Sequence, residues 1–141
     1  MKINTEEAKK MLIAARLVQA DEALLDARKL IACEGTPRSI VNRSYYAMLY
    51  AVIALLLDLD ASTSKHSGAI SAFDQHFVRP GLLPKHLSKS LHRVFESRQQ
   101  SDYQEMFVVS PEDAQEAVSK ADEFVAAVRG YLHGKEGAED C

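Results

Sequence analysis

Apolar residues recur along most of this chain at the spacing of a helix, and the polar residues fill the opposite sides. Leu17, Ala20, Leu24, Ala27 and Ile31 step by three and four, while Lys9, Lys10, Asp21, Glu22 and Lys29 lie around the other face. Asn4 or Thr5 caps this first helix, Glu6 and Glu7 oppose its dipole, and Gly35 suits a left-handed C-terminal position. Thr36-Pro37 starts a second helix, a cap residue followed by proline at the first helical position. It runs to about Leu57 and is apolar on nearly every side toward its end, which places it at the centre of a bundle. A short third helix is expected over residues 65–78, with His66, Ile70, Phe73 and Phe77 in register, closed by Arg79-Pro80-Gly81. Pro84 introduces the fourth, whose face is Leu87, Leu91, Val94 and Phe95. Ser110-Pro111-Glu112-Asp113 opens the fifth. There Ala114, Val118, Ala121, Val125, Val128 and Leu132 form a narrow seam, and Gly130 and Gly134 mark its end. No stretch alternates with period two over a useful length. The pattern therefore predicts an all-α fold of five helices around an antiparallel bundle, one domain over residues 1–134 with a flexible acidic tail over 135–141.

One position breaks the pattern. Continuing the face of the fourth helix by three or four residues reaches Arg98, then Asp102 one turn later and Tyr103 beside it. A charge facing inward must be paired, and stranding one costs about 3–5 kcal/mol. Asp102 lies at i+4, within pairing reach. Arg98, Asp102 and Tyr103 thus form either an ion pair that ties off a helix or a polar site on a rigid element. In the second case the planar guanidinium suits phosphate, and the phenol supplies a hydroxyl or a stacking face. A second unusual stripe is Arg43, Tyr46, Ala47, Tyr50 and Ala54, whose small residues permit close approach of another helix or another subunit. His66 sits on an apolar face at a helix start, which favours a packed or capping role over a catalytic one.

Composition narrows the choices. The 141 residues fit one domain that can bury an adequate core without disulfide or metal. Its 47% hydrophobic and 26% charged residues are those of a soluble globular protein. Cys33 and Cys141 have no second cysteine at ligand spacing, and the five histidines share no i, i+4 face, so neither a metal site nor a cofactor is expected. The N-terminus lacks an apolar signal core, and the longest uncharged apolar run, residues 45–57, is shorter than a membrane span, so a cytoplasmic location is expected. Net charge is −3, yet residues 36–104 hold 8 Lys/Arg against 5 Asp/Glu, whereas residues 105–141 hold 3 against 9. This is no duplex-DNA footprint, but it leaves room for a local cationic site.

Three blocks, in order, carry a family resemblance: Arg43-Ser44-Tyr45-Tyr46-Ala47-Met48-Leu49-Tyr50-Ala51, Lys65-His66-Ser67-Gly68 with Ile70 to Phe77 after it, and Phe95-Glu96-Ser97-Arg98-Gln99-Gln100-Ser101-Asp102-Tyr103. Together they resemble small HEPN-domain proteins (higher eukaryotes and prokaryotes nucleotide-binding), over roughly residues 5–131. The resemblance implies an up-and-down four-helix core and a homodimer. It also implies pairing with a minimal nucleotidyltransferase in a toxin–antitoxin module, and nucleotide or RNA as ligand. Residues expected to contact that ligand are Arg43, Tyr46, Tyr50, His66, Arg98 and Tyr103, with Arg98 and Tyr103 meeting across the dimer. Many relatives of this type are metal-independent ribonucleases whose motif is arginine followed four to six residues later by histidine. Arg98 matches the arginine, but Tyr103 stands where the histidine belongs. A phenol of pKa about 10 is a poor base, and Asp102 beside Arg98 should be held acidic, so cleavage is expected to be weak or absent. If the chain is an enzyme, it is a metal-independent endoribonuclease with Arg98 stabilising the phosphorane and Asp102, Tyr103 or His66 moving protons.

Overall fold

The structure is a computed structural model that describes residues 5–61, 65–103 and 108–139, with side chains as far as residue 135. Five α-helices make up the architecture: α1 (Thr5–Ala32), α2 (Pro37–Asp58), α3 (His66–Phe73), α4 (Lys85–Tyr103) and α5 (Pro111–Glu139). The expected cap at Asn4 lies outside the described residues. The fold class is all-α as expected, and no strand occurs among the described residues.

α2 touches all four other helices and forms the axis of the bundle. Twelve of its residues are buried, among them Val41, Tyr45, Met48, Val52 and Leu55. By length and composition it could cross a membrane, but 67% of its most apolar window is buried inside the protein, which makes it a core helix. The small residues foreseen as a meeting face are used within the chain. Ala47 and Ala54 of α2 and Ala20, Ala23 and Ala27 of α1 are all buried, and α1–α2 is the most extensive helix pair. Short side chains let these two backbones approach closely, so the hairpin buries its seam with little side-chain entropy lost.

The turn between α1 and α2 departs from expectation in a telling way. Its left-handed residue is Glu34, with φ of 57°, and not Gly35. Gly35 serves a different need. Its N–H donates to the Leu30 carbonyl at 2.6 Å, and a Cβ there would stand 2.7 Å from Leu30 Cδ2 and 3.1 Å from the Leu30 carbonyl oxygen. A side chain at this position would press on Leu30, so glycine eases the close approach. Thr36 then caps α2, its hydroxyl accepting from the Ser39 N–H at 3.3 Å.

The third helical segment is α-helical only to Phe73 and continues as a π-helix over Asp74–Val78. The wider turn keeps Phe77 inward, stacked on Phe73 with centroids 6.1 Å apart. Asp74 in this segment accepts from Ser88 Oγ at 2.6 Å and lies 2.7 Å from His92 Nε2, which fastens α3 to α4. Gly81, at φ of 84°, closes the turn as the Arg79-Pro80-Gly81 signal implied.

α5 buries the whole seam from Ala114 to Leu132, with Phe124 added against Phe73 at 5.2 Å. Contrary to expectation it passes through Gly130 and Gly134 and ends at Glu139. A helical glycine costs only about 1 kcal/mol. Ion pairs reach α5 from its neighbours: Arg129 to Asp21 at 2.6 Å, Lys135 to Asp58 at 2.7 Å, and Arg28 of α1 to Asp122. The expected flexible tail thus begins within this helix, and its last two residues lie outside the described ones.

Because Gly35 is set by a steric contact, Gly35→Ala is expected to destabilise the fold by about 1–3 kcal/mol, the usual cost of overpacking. A urea melt with an unchanged midpoint would show that the α1–α2 turn yields without strain.

Candidate functional site

Three helices converge where the apolar face of α4 gives out. α2 supplies Tyr45 and Tyr46, α3 supplies its first residue His66, and α4 supplies Phe95 and Arg98. Tyr45 is fully buried, and its ring lies 5.3 Å from Tyr46, 5.7 Å from His66 and 5.6 Å from Phe95. His66 also meets Tyr46 edge-on at 5.9 Å. The Arg98 guanidinium carbon stands 5.2 Å from the Tyr45 ring centre and 5.7 Å from that of Tyr46. Aromatic faces carry negative charge density, and this is how a cation with only 16% of its side chain exposed is accommodated.

The expected Arg98–Asp102 pair forms, with Nε 3.0 Å from Oδ2. It is an ion pair without a well-formed hydrogen bond, because the carboxylate oxygen lies off the N–H axis. Arg98 Nε is buried and has no hydrogen-bond partner among the described residues. The Tyr45 hydroxyl is in the same condition. A buried donor left unmade costs about 1–3 kcal/mol, so two in one cluster call for an explanation.

His66 does not cap α3: Lys65 occupies the cap position and makes no side-chain capping bond. Burial, and secondarily the Arg98 charge, hold the His66 imidazole below its ordinary pKa of 6.5. At neutral pH the cluster therefore contains a neutral imidazole on the same two tyrosine rings as a guanidinium.

The structure separates the other sequence candidates. Arg43, Tyr46 and Tyr50 do run along one side of α2, half-buried, with Tyr50 6.1 Å from Tyr46. Arg43 lies over the outer part of this stripe, its guanidinium carbon 5.2 Å from the Tyr46 ring centre, and donates from Nε and Nη2 to Asn42 Oδ1 at 3.2 and 2.9 Å. Two guanidiniums thus rest on Tyr46. Tyr103 is 76% exposed and borders a surface hollow with Glu96, Gln99 and Gln100. Five positions along a helix turn a side chain by about 140°, so within one chain Tyr103 points away from the Arg98 cluster. His86 and His92 are outward-facing, each beside a carboxylate, Glu123 at 2.9 Å and Asp74 at 2.7 Å. Among the described residues no group of His, Cys, Asp and Glu is placed to hold a metal ion.

Tyr45 was not singled out by sequence reasoning, because a residue within an apolar run reads as core. The signal was there: of the residues in that run, tyrosine is one that brings a hydroxyl needing a partner. Phe95, taken only as core, forms one wall.

The HEPN domain profile matches residues 13–131, most of the chain. The chain belongs to the HEPN family. Among its relatives, a UPF0332 protein of Thermotoga maritima is 42% identical over 114 residues, covering 81% of this chain and 86% of the relative. The UPF0332 protein glr0978 of Gloeobacter violaceus is 35% identical over 90% of this chain and 91% of its own length. A Methanocaldococcus jannaschii protein named "Putative toxin MJ0142" is 28% identical over 85% of this chain and 82% of its own. The three blocks that carried the resemblance include the tyrosines, the histidine and the arginine of the aromatic cluster. Arg98 lies at the edge of the core, and the imidazole near it is His66, from a different helix.

The lowered pKa of His66 fixes the sign of a pH effect. Between its folded pKa and about 6.5 the unfolded chain holds more protons at this site, so folding stability falls as pH drops through that window and levels off below it. His66→Gln is expected to remove this component, narrowing the stability difference between pH 7.5 and pH 5.5. Equal pH slopes in the two proteins would show that His66 titrates as a solvated histidine.

Proposed function

We propose that this HEPN domain binds nucleotide or RNA through Arg98, as a cytoplasmic homodimer that serves as the toxin-type component beside a minimal nucleotidyltransferase. The observation that carries this reading is the guanidinium itself. It is mostly buried against two tyrosine rings, its carboxylate partner is misaligned, and its Nε has no bonded acceptor among the described residues. A guanidinium kept only to end a helix would be expected to close its fork on the carboxylate. One left partly unmet is poised for an anion, and the surrounding rings offer faces to a base. Tyr46, Tyr50 and Arg43 extend the aromatic and cationic surface along α2, in the direction a strand would follow. Tyr103, outward-facing on α4, serves the Arg98 of the second copy in this arrangement.

A second reading, a metal-independent endoribonuclease, is favoured by the neutral His66. An imidazole held neutral near pH 7 can take the 2′-hydroxyl proton as the 2′-oxygen attacks phosphorus, while Arg98 stabilises the phosphorane charge. The 5′-oxygen leaves with a proton drawn from water. Asp102, partnered with Arg98, is on this reading an orienting carboxylate.

Binding of a short single-stranded RNA and of a mononucleotide, compared between wild type and Arg98→Ala, tests the first reading. Loss of a charged hydrogen-bonding group should weaken binding by about tenfold to a hundredfold. Equal affinity in a folded variant would remove Arg98 from the site. RNA incubated with EDTA separates the two readings: cleavage that persists in EDTA and disappears in His66→Ala supports catalysis, and no cleavage from pH 5.5 to 8.5 rejects it. Sedimentation at micromolar concentration should give a dimer mass, and a monomer would exclude a site shared between copies.

A further inference from the structure

Two buried polar atoms in this cluster make no hydrogen bond among the described residues: the hydroxyl of Tyr45 and Arg98 Nε, the latter with Asp102 Oδ2 near it but off its axis. They belong to one structural unit, since the Arg98 guanidinium lies over the Tyr45 ring at 5.2 Å. We infer that the Tyr45 hydroxyl and Arg98 Nε form the floor of an oxyanion seat, taking a non-bridging oxygen of a phosphate group carried by a nucleotide or an RNA strand. The inference rests on the reading of Arg98 as an anion-binding residue and adds Tyr45, a residue from the bundle axis, as its second donor.

Three features fix the chemistry of the missing acceptor. Both groups offer hydrogens, so their shared partner must be an acceptor with more than one lone pair. The guanidinium adds a full positive charge, which favours an anion over a neutral carbonyl or water. An anionic oxygen already stands at the edge of the seat, Asp102 Oδ2 at 3.0 Å from Nε, held off the N–H axis by its tether to the same helix. A phosphate oxygen has no such tether and can align. Burial pushes the Tyr45 phenol well above its ordinary pKa, against the opposing pull of Arg98, so the hydroxyl keeps its proton and remains a donor at neutral pH.

The same geometry states how the seat opens. Tyr45 has no exposed surface, while Arg98 retains 16% and Asp102 28% of their side-chain surface. The guanidinium lies over the Tyr45 ring, and the carboxylate is its more exposed partner. Asp102 sits in the last turn of α4, which ends at Tyr103, where few backbone bonds hold it. Entry of a phosphate exchanges one anion on Arg98 for another and leaves Asp102 to solvent. Asp102 is thereby a competitor for the seat.

Tyr45→Phe removes one oxygen and nothing else, which makes the test sharp. The probes are inorganic phosphate and a short single-stranded RNA, used on the full chain. The expected result is a Tyr45→Phe protein with unchanged or raised melting temperature and about tenfold weaker RNA binding, the weight of one hydrogen bond to a charged group. Inorganic phosphate should compete RNA from wild type and do so less well from Tyr45→Phe. Asp102→Asn, which deletes the competing charge, should bind RNA several-fold more tightly. If Tyr45→Phe binds as wild type while Arg98→Ala does not, the seat is overturned and the reading of Arg98 stands. If Tyr45→Phe lowers the melting temperature, its hydroxyl holds a structural partner and the seat is likewise overturned, as it is if Asp102→Asn binds no more tightly. Absence of binding by wild type removes both.

Discussion

The feature on which the rest of this protein turns is a guanidinium resting on the rings of Tyr45 and Tyr46. A cation at the edge of a core normally demands a well-aligned counter-ion, because desolvation otherwise outweighs the Coulombic gain. Here the aromatic faces take over part of that task. They hold the charge without consuming its hydrogens, so the group is stabilised and still chemically available. Everything in the fold that fixes α2 against α4 also fixes this contact.

Several parts of the bundle can be read in that light. The alanines of α1 and α2 let the two helices pack closely along the buried side of α2, which gives Tyr45 a rigid backbone. The π-helical segment and its Asp74 tie to Ser88 and His92 attach α3 to α4, and α3 begins at His66. The imidazole is therefore placed against the tyrosines by an anchor at the other end of its own helix. α5 packs against α2 and is joined to α1 and α2 by ion pairs that involve no residue of the cluster. Stability and site are thus divided between different faces of one central helix.

The imidazole and the guanidinium of this cluster come from different helices. Tyr103 faces outward, and the imidazole near Arg98 arrives from α3. His66 and Arg98 share ring partners from α2, so the tyrosine pair is the frame that relates them. The cluster therefore depends on packing: its geometry holds only while α2, α3 and α4 stay docked.

The helices were legible in the chain because periodicity, caps and proline–glycine punctuation are local signals. The seam of α5, the Thr36-Pro37 and Ser110-Pro111 starts and the apolar character of α2 all translated directly. So did the oddity of Arg98, since a charge on an apolar stripe is visible without coordinates. Where local signals have two meanings, the fold chose. Gly35 looked left-handed and is instead a close-contact glycine against Leu30 of its own turn, and Gly134 looked like an end and is crossed, with Lys135 just beyond it paired to Asp58 of α2. The site belongs to the same class. That Tyr45, His66 and Arg98 are neighbours, that Tyr103 is not with them, and that two buried polar atoms make no hydrogen bond among the described residues are facts about the docking of three helices separated by tens of residues. Spacing along one helix defines angles only on that helix, and the relation between helices is set by how their faces pack.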